Sequence, residues 1–265
     1  MGFSAIIIGD EIIRGKRQDG HFARLLQIMS ARGLVLDSVT YVGDDPVKLT
    51  EVLRRSMAGN DVVFSFGGIG ITPDDRTRQC AAEASGQPLE VHPDAEREIR
   101  IVLAEYQREV TDEMLQFGAF PQGSRIIPNP VNRIPGFSHG HHHFVPGFPQ
   151  MAWPMIDWVL DTLYRDQFNL VPEAEKGVFV LDGNEGTLLP LMKQLELEYP
   201  GVRVFSLPSF REGSTPGYVE LGVRGEPSQV AAAFEVMCNE ITALGFSYSA
   251  ELQVGDASPK PMEGE

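Results

Sequence analysis

The chain reads as an α/β protein: a mainly parallel sheet covered by helices on both faces, followed by a second, smaller α/β domain. Three observations predict this. Short apolar segments alternate with amphipathic helical segments through the first half, giving βαβαβα. The third apolar segment runs directly into a glycine-rich turn. A polar, proline-containing connection at 169–176 then precedes a renewed βαββα pattern.

Residues 3–8 form the first expected strand, followed by a helix over about 20–32, a strand over 34–42, a helix over 46–58, a strand over 62–66 and a helix after Pro73. The helix at 20–32 spaces Phe22, Leu25, Leu26 and Met29 by threes and fours, an apolar stripe that faces a sheet. The segment 62–66 has the apolar character of a parallel strand covered on both faces. Residues 93–117 read as helical, 125–127, 134–138 and 143–145 as short strands, and 150–164 as a helix with Trp153, Ile156, Val159, Leu160 and Leu163 on its apolar side. The first domain then spans 1–168. A small domain at 169–250 comprises a strand at 177–181, a helix at 187–199, strands at 203–207 and 218–224 and a helix at 228–244; residues 251–265 read as a disordered tail.

The length of 265 residues, 42% hydrophobic, suits one large or two modest packed domains. A formal net charge of -15 excludes non-specific nucleic-acid binding, which depends on cationic neutralisation of phosphates. Residues 173–265 carry fifteen acids against six Lys or Arg, a net of −9. That is the wrong charge for RNA, so this domain is expected to serve dimerisation or act as a lid, with the chain a homodimer or higher homo-oligomer. No stretch has the length of a membrane span, and the amino terminus enters a strand without a basic leader, so no membrane contact and a cytoplasmic location are expected. Cys80 and Cys238 have no paired spacing and read as buried small apolar residues.

The candidate site lies at the carboxyl ends of the expected strands, where ligands bind in such sheets. After strand 62–66, Gly67, Gly68 and Gly70 allow close backbone approach, and the stretch from Thr72 through Asp74 and Asp75 to Thr77 opens the next helix with acid and hydroxyl groups. A phosphate suits that loop. Asp74 and Asp75 serve either as helix N-terminal acids or, beside a phosphate, as ligands to a divalent metal. Gly9, Asp10 and Glu11 follow the first strand, with Asp19 further along the same acid-rich turn; Asp44 and Asp45 precede Pro46, a helix start from which Asp44 could also reach the crevice. Pro146 and Gly147 belong to a turn that introduces the helix at 150–164. The tract His139, His141, His142 and His143 alternates with glycine and reads as a solvated hairpin tip rather than a metal site. No nucleophilic triad or G-x-S-x-G elbow is legible, which argues against covalent catalysis.

These motifs, IGDEIIRGKRQD at 8–19, VGDD at 42–45, FGGIGITPDDRT at 66–77, IPNPVNRIPGF at 127–137 and VPGFPQM at 145–151, resemble the molybdopterin-binding domain family (MoaB/MogA-like), specifically the amino-terminal region of its CinA branch. The resemblance covers Ser4 to about Leu163 and implies a three-layer α/β/α domain followed by a small KH-like domain, without the deamidase domain of that branch. It implies binding of a pterin or nucleotide phosphate. Asp44 and Asp75 match acidic positions of the adenylyltransferase relatives, and Asp10, Asp19, Gly67, Gly68 and Gly70 match the ligand-edge pattern. The chain departs from the family at Gly20 and His21, at Ile71 in place of proline, at Met114 and at Gln150, changes that leave the phosphate loop but alter the surrounding pocket. The leading expectation is a metal-dependent pyrophosphatase acting on ADP-ribose or flavin adenine dinucleotide, with Asp10, Asp44 and Asp75 catalytic and Asp10 and Asp75 holding Mg²⁺, Mn²⁺ or Co²⁺. The alternatives are molybdopterin adenylyl transfer and non-catalytic pterin or nucleotide binding.

Overall fold

In the computed structural model, which describes residues 2–169, 174–209 and 217–251, the inner strands of the first unit send alternate side chains into two separate cores. In β1 (Phe3–Ile8), Phe3, Ala5 and Ile7 face one side while Ile6 and Ile8 face the other; in β3 (Val62–Phe66), Val62, Phe64 and Phe66 oppose Val63. Period-two alternation with both faces apolar requires cover on both sides. On the first face it comes from α2 (His21–Ser30), through Leu25, Ile28 and Met29, and from α7 (Pro149–Leu163), through Met155, Ile156, Val159 and Leu160. On the second it comes from α3 (Pro46–Met57), α4 (Thr77–Ser85) and α5 (Pro93–Glu105). The result is the expected α/β/α sandwich.

The remaining elements of this unit are α1 (Asp10–Ile13), β2 (Ser38–Val42), β4 (Leu89–Val91), α6 (Asp112–Leu115), β5 (Ala119–Pro121), β6 (Arg125–Ile127), β7 (Gly136–His139) and β8 (His142–Val145). The main sheet has the order β2-β1-β3-β8-β7-β6. Pairing is parallel from β2 to β8 and antiparallel for β7 and β6. The chain divides into two compact units, Met1–Leu170 and Val171–Glu265.

Several boundaries differ from the expected ones for local reasons. The expected helix at 93–117 stops at Glu105, because Gln107 takes a left-handed φ of 52° and the Arg108 N–H returns to the Leu103 carbonyl. Thr111 then caps the separate turn α6. The helix expected after Pro73 begins only at Thr77, since the Thr72–Asp75 stretch forms a turn of its own. The short β4–β5 ribbon was not anticipated.

The second unit contains β9 (Ala174–Leu181), α8 (Glu185–Glu198), β10 (Val202–Ser209), β11 (Tyr218–Gly225), α9 (Pro227–Ala243) and β12 (Tyr248–Ser249). Its antiparallel sheet has the order β10-β11-β9-β12, so the βαββα pattern carries one added edge strand. Val178, Val180, Val219, Leu221 and Val223 pack against Leu188, Leu191, Leu195, Val230, Met237 and Ile241 of the two helices. Residues 170–173 of the expected connection, and the expected tail beyond Glu251, lie outside the described residues.

The histidine tract does form a hairpin, with Gly140 and His141 exposed at its turn, but His142 and His143 are not solvated. Gly140 turns at φ 58°, whereas His142 and His143 belong to β8, which is paired on both edges and covered on both faces. His143 bonds the Ser138 hydroxyl and the Tyr164 hydroxyl, each at 2.8 Å, and His142 bonds Ser56 Oγ at 2.7 Å. Burial holds the His142 pKa down to about 4 and that of His143 to about 3. Below about pH 6.5 the unfolded chain therefore binds two protons that the folded chain refuses until those lower values. Stability falls as pH falls through this window, by about 1.4 kcal/mol per histidine per pH unit. Denaturant midpoints at about pH 7 and about pH 5 should show this loss, to which the burial-lowered His21 and His139 also contribute, and His143→Gln, which keeps a hydrogen-bonding amide without a titrating proton, should reduce it. An undiminished loss in the variant contradicts the assignment.

Candidate functional site

The carboxyl ends of β1, β2, β3 and β8 open into a cleft of about 500 Å³. Each strand contributes its following turn: Gly9 and Glu11 after β1, Asp44 after β2, Gly67 to Thr72 after β3, and Pro146 to Phe148 after β8. Phe117, Ile134, Pro135, Phe148 and Met151 give the cleft an apolar wall of the kind that receives a flat ring.

The glycine loop is held from beneath by the first two residues of α4. The Thr77 hydroxyl donates to the Gly67 carbonyl at 3.1 Å, and the Thr77 N–H donates to the Gly68 carbonyl at 3.0 Å. The Arg78 guanidinium donates to the Ile69 carbonyl at 2.6 Å and also to the Gly70 carbonyl. In a trans peptide the carbonyl and the next N–H point in opposite directions. Four carbonyls tied to α4 therefore turn the N–H groups of Gly68, Ile69, Gly70 and Ile71 away from it. Among the described residues, none of these four donors has a protein acceptor. Consecutive free amides on a loop form a concavity for an anion.

Two glycines are required by this close fit. At Gly67, φ is +103° and a Cβ would lie 2.4 Å from the Ile8 carbonyl oxygen; at Gly68, φ is +67° and a Cβ would lie 2.2 Å from Thr77 Oγ1. Arg78 is 2% exposed, and burial pulls its pKa down to about 10, which leaves it charged at neutral pH. Asp75, nearby, works against that depression.

The acids of the site fall into two groups. Glu11, Asp44, Asp74 and Asp75 line the cleft. Asp44 is held at its base: the Asp10 N–H donates to Asp44 Oδ2 at 2.8 Å, and the Asp44 N–H donates back to Asp10 Oδ1 at 3.3 Å. The Asp44 pKa is raised, first by burial and further by the charges of Asp10, Glu11 and Asp74, against the opposing Asp10 N–H bond. Asp75 Oδ2 accepts from both the N–H and the hydroxyl of Thr72.

Asp10, Asp19 and Thr77 do not line the cleft. Asp10 gives its second oxygen to Arg14 at 2.7 Å, so its carboxylate braces the Asp44 turn instead of standing with Asp75. Asp19 caps α2, accepting from the N–H groups of His21 and Phe22 and from the Tyr41 hydroxyl. Thr77 is buried and acts through the loop. Pro146 and Gly147 do line it, and the Gly147 carbonyl meets His21 Nε2 at 3.1 Å. His21 is stacked on Phe66 at 4.6 Å, and burial lowers its pKa. Sequence reasoning missed Arg78 and Arg17. For Arg78 a signal existed: its helical neighbours at three and four residues, Ala81 and Ala82, are small and apolar, which puts it on the buried face.

Residues 4–165 match the family described as a probable molybdopterin binding domain. A CinA-like protein of Syntrophotalea carbinolica is 30% identical over 181 residues, which cover 66% of this chain but only 44% of that protein's length. A protein of Pyrobaculum arsenaticum is 29% identical over 220 residues, covering 81% of this chain and 83% of its own. Among solved structures, a CinA protein of unknown function from Thermoplasma acidophilum superposes with a TM-score of 0.54 at 26% identity, covering 60% of this chain and 96% of that one.

Arg78→Met should strip two loop carbonyls of their donors, cost about 2–4 kcal/mol of stability and weaken binding of inorganic phosphate. Urea denaturation with and without phosphate measures both, and a variant with unchanged phosphate stabilisation contradicts the loop assignment.

Proposed function

Since the chain belongs to the probable molybdopterin binding domain family, we propose that its cleft binds a phosphorylated nucleotide or pterin and hydrolyses the diphosphate bond of a compound such as ADP-ribose or flavin adenine dinucleotide. The observation that carries the phosphate part is the set of four unpaired amides on the loop after β3. Negative charge developing on a phosphoryl oxygen is stabilised by donors that are already oriented. The apolar wall suits the ring of either ligand.

The acids support the hydrolytic part. Among the described residues, no group of three or more His, Cys, Asp or Glu side chains is arranged to hold a metal by itself. Mg²⁺ does not need one, because it commonly takes one or two carboxylates together with substrate phosphate oxygens and water. Asp75 commits only Oδ2 to Thr72, and Asp74 stands beside it on the cleft lining. These two residues would hold the cation. A bound divalent cation would supply charge neutralisation for the phosphates and acidify water.

Asp44 takes the proton. Its raised pKa makes it a stronger base than an ordinary carboxylate, it lines the cleft, and the Asp10 N–H pins one of its oxygens. Water oxygen bonds to one phosphorus as its proton passes to Asp44, the bridging P–O bond breaks, and the leaving phosphate carries away the electron pair.

The test is AMP release from ADP-ribose and flavin adenine dinucleotide with Mg²⁺, Mn²⁺ or Co²⁺ and a metal-free control. Asp75→Asn keeps an acceptor for Thr72 and should retain the fold while losing at least about 100-fold in turnover. No release by folded protein with any metal removes the hydrolase reading, and formation of an adenylylated pterin from ATP would establish adenylyl transfer in its place.

A further inference from the structure

Three cations lie on the turn after α1, and only one of them enters the cleft. Arg14 is committed to Asp10 at 2.7 Å, and Lys16 does not line the cavity. Arg17 does line it. Its backbone is anchored, since the Arg17 N–H donates to the Glu11 carbonyl at 3.1 Å and the Lys16 N–H donates to the same oxygen at 2.8 Å. Its guanidinium has no ion-pair or hydrogen-bond partner among the described residues.

The charge balance of the cleft gives that free guanidinium a purpose. Four carboxylates line the cavity, and Arg17 is the single cationic side chain among its lining residues. Arg78 is spent on the loop carbonyls below. The four loop amides suffice for one phosphate. A second phosphate joined to the first brings further negative charge into an acid-lined space, where like charges repel over several ångströms. An exposed arginine with an unoccupied fork of donors matches a phosphate in charge and geometry.

We infer that Arg17 is a specificity-determining residue that binds the second phosphate of a diphosphate ligand, so that the cleft prefers diphosphates to monophosphates. This rests on the reading of the loop as the site of the first phosphate. Arg17 does not support the fold, because it is exposed and unpaired, so its replacement should leave thermal unfolding unchanged.

Isothermal titration of ADP and of AMP, both with Mg²⁺, into the wild-type chain, Arg17→Gln and Arg17→Lys tests it. The expected result is a loss of ADP affinity of about 10- to 100-fold in Arg17→Gln, with AMP affinity changed less than about threefold and partial recovery of ADP binding in Arg17→Lys. Equal losses for the two nucleotides, or none, overturn the role of Arg17 and leave the loop reading standing. A folded wild-type chain that binds neither nucleotide overturns both.

Discussion

Everything at the cleft depends on the first turn of α4 gripping the carbonyls of the loop before it. Thr77 and Arg78 provide four donors to four successive carbonyls, and the peptide geometry does the rest. The same grip explains why Gly68 has no room for a side chain: the Thr77 hydroxyl occupies that space. It also explains a buried charge. Removing a guanidinium from water is costly, and here two carbonyls and the nearby Asp75 offset the cost.

The fold was largely legible because its signals are local. The apolar character of 62–66, the Leu25 and Met29 half of the stripe on 20–32 (Phe22 and Leu26 are exposed) and the Asp45-Pro46 helix start each follow from a few adjacent residues; Asp45 does accept from the Lys48 N–H at 3.0 Å. The glycine loop and its acids were legible for the same reason. What escaped was decided by long-range pairing. Nothing in the sequence around His142 and His143 shows that β3 and β7 flank them, so polar residues beside a glycine passed for a solvated tip. Asp10 and Asp19 were correctly placed near strand ends, but which acid enters the cleft depends on where Arg14 and Tyr41 sit. Family motifs marked both positions without separating acids that brace turns from acids that face the cavity.

The electrostatics of the chain and of its cleft pull in different directions. A net charge of -15 repels anions at a distance, so the protein gains no long-range steering of a phosphorylated ligand. Recognition is left to short-range groups: amides without partners, one free guanidinium and an apolar wall. Such a site depends on dehydrated contact and close fit, and salt that screens the acidic surface helps the ligand approach.

The unpaired amides have one more consequence, for how the loop would look in solution. Amide protons in proteins usually exchange slowly when they are hydrogen-bonded, and fast exchange is commonly taken as a sign of mobility. Here the bonding is one-sided: the carbonyls of Gly67 to Gly70 are fastened while the amides of Gly68 to Ile71 are bare. This stretch combines fastened carbonyls with amides that have no acceptor among the described residues. Deuterium uptake would mark it as loose, although four donors hold its carbonyls.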